Sequence, residues 1–513
     1  MASTGESGGT GQMGQPAQAG EPEIQYERLG ETKLTFVDVI AQAFGFMGPV
    51  FGAILLLVTV VGANNAGKGA GLASPVAIII AAIGLGALGW IIAQFAKRIH
   101  AAGALYDYIS AGFGERAGFV FGWVYLGGLI VLAVAIPLLI GGLVQGWLTT
   151  PPHNVGVPYW SWDLIYCAIL FCVLYFGVKI STRVQLTLVL ISATVVTVFM
   201  IYVIFKSGSI SSKPFNPSEA GGVNNFFYGV LYAILLFVGF ESAANLAEET
   251  NNPRRNIPRA VLWSVGLVTV YFVLVSFSQA VGFHLDVKAW ATSGAPILVL
   301  ALPKADGGYG TQFLFDLMNV ILILDVAAVG IGAATAASRL IFSLARDRRV
   351  PGVFAKVSQR YGTPYVSIIT LVAIAAAEII WVRLSHGVLP LNGQPEFFVF
   401  FLWMAQYGSL SLAVMYAVVS IAGLVGLWND TNRVGLVIAF AIALVVTGLA
   451  IFSAIYKVPA PFNTAFYWFL GWAVVGVIIL IFLVSTGRFR QSAQAAGALE
   501  RHHEALEQVH PEF

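Results

Sequence analysis

Three residues sit where a polar side chain is costly unless it serves a purpose: Asp325, Glu241 and Ser192 all lie inside long apolar stretches. An ionisable group in such a stretch is a functional hypothesis by default. Asp325 falls about thirteen residues into the run 312–345, roughly 20 Å along a helix and so near its middle. At that depth its carboxylate can pair with a cationic amine or carry a proton. The competing reading is a structural acid that caps or hydrogen-bonds a neighbouring helix. Glu241 follows the glycine of Phe237-Val238-Gly239-Phe240, where a carboxylate complements the N-terminus of a second half-helix. A cap or an inner-gate ion pair is expected of it, ahead of direct contact with a ligand. Ser192, Thr335 and Ser338 together offer oxygens suited to a sodium ion, although hydroxyls in apolar helices more often bond backbone carbonyls. Asp316 and Glu378 stand nearer the ends of their runs and are expected to snorkel to an interface.

The elements that must position these groups are membrane helices. Of 513 residues, 58% are hydrophobic and only 10% are charged, with a mean hydropathy of +0.82. Soluble domains carry about 25% charged residues, so most of this chain belongs in lipid. Apolar runs fall at 37–63, 74–96, 117–147, 161–177, 183–205, 223–246, 259–282, 312–345, 365–383, 397–424, 434–456 and 464–486. At about 20 residues per crossing these predict an all-α integral membrane protein of about twelve helices.

Two of the runs are interrupted. The sixth breaks at Gly239, and the first at Gly45-Phe46-Met47-Gly48-Pro49, where proline suits the opening position of a second half-helix. Inside a bilayer, broken helices survive only where they are buried in protein or line a cavity. Interruptions at matching places in two halves are the best sequence pointer to the binding site of an inverted-repeat transporter.

Residues 1–36 are rich in Gly, Ser, Gln and Glu and lack a basic segment followed by an apolar one, so no cleaved signal peptide is expected. They and 487–513 read as tails, the first largely disordered, around a membrane domain of 37–486. Fifteen loop lysines and arginines, Arg254, Arg255 and Arg259 among them, fall on one side of this topology and seven on the other. The positive-inside rule then puts both termini in the cytoplasm of a plasma-membrane protein. The net charge of +2 offers no argument for nucleic acid. Cys167 and Cys172, five residues apart on one helix, face different sides, so neither a disulfide nor a metal pair is expected. No cofactor is expected either. The stretch Gly62–Gly69 lacks the Ser or Thr of a phosphate-binding loop. His502-His503-Glu504 lacks the second histidine of a zinc helix.

Several motifs together resemble the amino acid–polyamine–organocation permeases: GFESAANLAEETNNPRRNIPRA at 239–260, AASRLIFSLARDRRVP at 336–351, GALYDYISAGFG at 103–114 and GVKISTRVQ at 177–185. The resemblance implies a five-plus-five inverted repeat (LeuT-like) with two extra spans, discontinuous in spans one and six. It also implies secondary transport of an amino acid or amine, driven by a proton or by substrate exchange. On the family's pattern the substrate site comprises Gly45, Phe46, Met47 and Gly48 of span one with Leu235, Leu236, Phe237, Val238, Gly239 and Phe240 of span six. The carbonyls of Leu235, Leu236 and Val238 would face an ammonium and Phe237 and Phe240 would wall it, while amides after the span-one break would receive a carboxylate. Gln406 and Tyr407 are further candidates, because span ten often faces the permeation path in this family.

The chain departs from that pattern in two places. The family's G-x-I-I-G-x-G-I-F reads Phe44-Gly45-Phe46-Met47-Gly48-Pro49-Val50-Phe51 here, which leaves room for an amine or a modified amino acid. The lysine that some proton-coupled members carry in span five falls on Ser192. Competing classes fit less well. A channel would need a continuous polar lining, a sensor an appended soluble domain, and an enzyme some metal spacing or nucleophile motif. A major-facilitator carrier would need its acidic-basic glycine motif at 97–116.

Overall fold

The computed structural model describes residues 29, 33–62, 68–149, 153–385, 396–456, 458 and 460–489. Most of both predicted tails, the centre of the glycine-rich stretch after Gly62 and the histidine pair at 502–503 lie outside the described residues.

Eleven helices are long and apolar enough to cross a membrane, and no strand is present among the described residues. They are α1 (Phe36–Val61), α2 (Gly71–Ala96), α3 (Glu115–Thr149), α5 (Val178–Lys206), α6 (Val223–Glu249), α7 (Pro253–Gly282), α8 (Gln312–Arg346), α9 (Tyr365–Ser385), α10 (Glu396–Gly426), α11 (Arg433–Ile455) and α12 (Thr464–Ser485). The expected fourth span is the shorter apolar helix α4 (Tyr159–Tyr175). Its 17 residues rise roughly 26 Å, a little under the hydrocarbon thickness.

Burial sorts the helices. The most apolar windows of α1 and α8 are 78% buried, and that of α12 only 17%. The centre of the bundle is therefore α1, α6 and α8, packed against α3, α5 and α10. Apolar side chains on the periphery face outward, as lipid-facing positions must: Val198 of α5, Val270 of α7 and Ile481 of α12 are each more than 60% exposed. At the edge, α12 is pinned to α3 by a reciprocal pair. The indole of Trp123 donates to the carbonyl of Trp472 at 3.0 Å, that of Trp472 donates back to Trp123 at 2.7 Å, and the rings stack at 4.6 Å. Cys167 is buried and Cys172 exposed.

The ends of α1 and α6 meet on the arginine-rich face. Thr35 and Asp38 form a reciprocal capping box that starts α1. Just before it, the amide of Leu34 donates to the carbonyl of Glu249 at 2.8 Å, and the amide of Asn251 donates to the carbonyl of Leu34 at 2.9 Å. A short helix, Leu105–Phe113, lies across this face, seated against Gly118 and Gly122 of α3 where Ser110 and Tyr106 come close. The glycine pair thus serves helix packing, as small residues at that spacing do.

Candidate functional site

Both expected breaks exist. In α1 the α-helix ends at Met47, Gly48 takes a left-handed conformation (φ 56°), and helical structure resumes at Pro49. In α6 the α-helix ends at Leu235, and a turn runs through Gly239 (φ 106°). The chain then continues as a ten-residue 3₁₀-helix, Phe240–Glu249. Glycine alone adopts these angles without strain, which is why each break sits on one.

The breaks face each other. A Cβ on Gly239 would stand 2.7 Å from the Phe46 ring, so the two broken segments touch where that methyl is missing. The backbone of Phe46 lies equally close to Gly332 of α8. Phe46, Met47, Phe237 and Phe240 are all buried, and the Phe46 ring lies against Gly239. Gly45 packs on the Gln185 side chain of α5, and Gly48 on Val329 of α8.

The carbonyls of the α6 turn are only partly free. Val238 donates to Leu235 at 3.4 Å and Phe240 to Phe237 at 3.3 Å, whereas no backbone bond of the turn ends on Leu236 or Val238. The turn tightens on the Leu235 carbonyl through this one bond.

The other break lies in α1. The amides freed by its break, expected to receive a substrate carboxylate, are engaged by Asp325. Val50 donates to its Oδ2 at 3.1 Å and Phe51 to the same oxygen at 2.8 Å. Asp325 is fully buried, and its Oδ1 has no hydrogen-bond partner. The structural reading of this acid, a cap on a neighbouring helix, describes half of its carboxylate.

Glu241 is fully buried and accepts a 2.6 Å hydrogen bond from the Tyr416 hydroxyl of α10. The ion pair expected of it is formed instead by the two glutamates that end α6. Arg339 holds Glu249 through two contacts of 2.7 and 3.2 Å, and Arg346 holds Glu248 through contacts of 2.9 and 2.7 Å. The side chains of Arg339 and Glu249 are almost wholly buried, at 3% and 2% exposure. Around them Tyr106 donates to Asp347 at 2.9 Å, and Arg349 pairs with Glu115 at 2.7 Å. Burial, reinforced by neighbouring Asp347, holds the Asp107 carboxyl well above the ordinary carboxylate range. Burial likewise raises Asp347, against the opposing pull of Arg346.

Ser192 donates to the carbonyls of Leu188 at 2.7 Å and Ile321 at 3.3 Å, while Thr335 meets Ser181 at 3.2 Å and Ser338 turns back to the Thr335 carbonyl. Ile321 and Thr335 lie roughly 20 Å apart along α8. The three hydroxyls therefore do not converge on one sodium site. Glu378 does not snorkel, because both its carboxylate oxygens are buried without partners. Asp316 does reach a polar surround, accepting from Trp147 at 2.9 Å and meeting His153 at 3.0 Å. Gln406 points to the Ala454 carbonyl of α11 and Tyr407 packs on Phe469 of α12, both away from the breaks. Arg254, Arg255 and Arg259 are exposed.

Four residues near the breaks went unnoticed in the sequence: Gln42, Gln185, Tyr271 and Tyr416. Gln42 donates to the Gly332 carbonyl at 2.9 Å and accepts from Gln185 at 3.1 Å, tying α1 to α5 and α8. A buried glutamine in an apolar run is a legible signal. The tyrosines carry none, since their positions depend on how α7 and α10 turn toward the centre.

Residues 43–456 match the amino acid permease family model, and the chain belongs to that family. It is 25% identical over 373 residues to the branched-chain amino acid permease BcaP of Bacillus subtilis, covering 68% of this chain and 74% of that one. It is 25% identical over 331 residues to the methylthioribose transporter of the same organism, with 62% and 69% covered. To the lysine-specific permease LysP of Escherichia coli it is 27% identical over 296 residues, with 52% and 55% covered. The relatives are carriers, and this chain is a multi-span membrane carrier of small molecules, not an enzyme.

Proposed function

We propose that this protein is a secondary active transporter that moves an amino acid or related amine across the cell membrane by alternating access, with both termini in the cytoplasm. The observation that carries this reading is the contact of the two breaks, Phe46 against Gly239, at the centre of the bundle. Broken helices at matching places support a five-plus-five inverted repeat in which one half rocks against the other. The site then comprises Gly45, Phe46, Met47 and Gly48 with Leu235, Leu236, Phe237, Val238, Gly239 and Phe240. Phe46 is the lid that must swing to admit substrate, and the open carbonyls of Leu236 and Val238 are its polar face.

The pairs Arg339–Glu249 and Arg346–Glu248 form the inner gate, because they bolt the end of α6 to α8 on the basic face. Glu241 and Asp325 are the acids that could carry a coupled proton; exchange of substrates is the other mode of driving.

Uptake of radiolabelled amino acids and amines into proteoliposomes, with and without an inward proton gradient, tests the reading. Saturable accumulation of at least one compound is expected. Absence of any accumulation under every gradient overturns transport, and persistent thermal stabilisation by a ligand would then leave a binding-only protein.

A further inference from the structure

We infer that the substrate is an organic amine without a free carboxylate, a cationic headgroup on an apolar body, and that Asp325 receives its ammonium. The inference rests on the transport reading above and narrows it.

The two amides best placed to receive an anion at the α1 break are both committed to one oxygen of Asp325, at 3.1 and 2.8 Å. Pro49, the preceding residue, has no amide to add. A substrate carboxylate arriving here would have to displace an acceptor that is tethered in place. It would then lie beside it, two like charges in a water-poor interior, which strongly disfavours both being ionised. The seat that an amino acid's carboxylate would use is therefore filled by the protein itself.

The second oxygen of the same carboxylate has no partner within the protein. Asp325 is fully buried, Oδ1 lacks a hydrogen-bond partner, and no lysine, arginine or histidine among the described residues pairs with it. A buried polar atom left without a partner is costly, and an ammonium supplies the missing donors together with the compensating charge. The hydroxyl of Tyr271 is also buried without a partner and lies within electrostatic reach of Asp325. The surrounding walls suit an apolar body. Val329 and Phe51 flank Gly48 beside the carboxylate, and the Phe272 ring abuts Gly52 one turn further on. Aromatic faces attract organic cations as well as apolar carbon.

The test uses pairs that differ only by a carboxylate: isoamylamine with leucine, phenethylamine with phenylalanine, and cadaverine with lysine. The full-length protein in proteoliposomes is expected to take up at least one amine tenfold or more faster than its parent amino acid. Asp325→Asn keeps an oxygen for the Val50 and Phe51 amides but loses the charge. Amine uptake should fall by a hundredfold or more while the thermal unfolding of the unliganded protein changes little. Asp325→Ala frees the amides, and the preference within each pair should shift toward the amino acid.

Equal or better uptake of the amino acids by the wild type overturns the inference and leaves the transporter intact. Normal amine uptake by Asp325→Asn also overturns it, reducing Asp325 to a cap. If nothing accumulates but amines stabilise the wild type and not Asp325→Asn, the transport reading falls and the site stands. If there is neither accumulation nor stabilisation, both fall.

Discussion

Phe46 rests against Gly239 at a distance that leaves no room for a methyl group, with a Cβ on Gly239 placed only 2.7 Å from the ring. Glycine at 239 is thus required twice, by this contact and by a backbone φ of 106°. Gly239→Ala should cost about 1–2 kcal/mol for the backbone alone and abolish uptake. Phe46→Ala added to it relieves the steric part and should return some activity. Wild-type uptake by the Gly239→Ala single variant would show that this break takes no part in transport.

The buried pair Arg339–Glu249 makes a sharper stability prediction. Glu249→Ala strands a guanidinium that is 3% exposed, and removing one partner of a buried pair costs about 3–5 kcal/mol. The double variant Arg339→Met with Glu249→Ala should recover most of that loss. Thermal unfolding in detergent reads both. A single variant as stable as wild type would mean that Arg339 finds another partner and that the gate assignment is wrong.

The acids of the basic face predict a pH dependence. Burial raises Asp107 and Asp347 in the folded protein, so the folded state holds protons that the unfolded chain releases. Their contribution to stability is fully present below the ordinary carboxylate range near about 4 and is lost as pH rises through the raised values. Asp107 is faced by Asp347, Arg346 and Glu248 and by the Gly103 backbone, and Asp347 also by Arg349 and Tyr106. Unfolding temperatures measured from pH 5 to 9 should decline with rising pH, and Asp107→Asn should flatten that decline. An unchanged slope in the variant would remove Asp107 as its source.

At the periphery, Trp472→Phe removes one of the two indole hydrogen bonds joining α12 to α3. A loss of about 0.5–1.5 kcal/mol is expected, with the uptake rate per folded molecule unchanged. Slower uptake at unaltered stability would mean that α12 moves with the transport cycle.

Much of this was readable from the sequence, and the reasons differ by element. The helices announced themselves by length and apolarity, and the breaks at Gly48-Pro49 and Gly239 by residues that only unusual backbone tolerates. α4 lies two residues earlier than its apolar run of 161–177, because that run continues into the turn at Phe176-Gly177, which composition does not separate from helix. What the sequence withheld was rotational setting. Whether Asp325 faced a ligand or the end of α1, and whether Glu241 met an arginine or Tyr416, depends on a rotation of a few tens of degrees about each helix axis. Apolar runs buried nearly all round carry no stripe from which to read that angle. The hydroxyls of Ser192 and Ser338 follow the commoner pattern for apolar helices, donating to backbone carbonyls, while the depth at which α5 and α8 present them to each other is set by packing.

Leu34 is held on both sides by the chain at the end of α6, through the carbonyl of Glu249 and the amide of Asn251. The residue next to it in that same stretch, Glu248, is gripped by Arg346. A displacement of Leu34 would therefore pull on backbone one residue from the Glu248–Arg346 pair that ties α6 to α8.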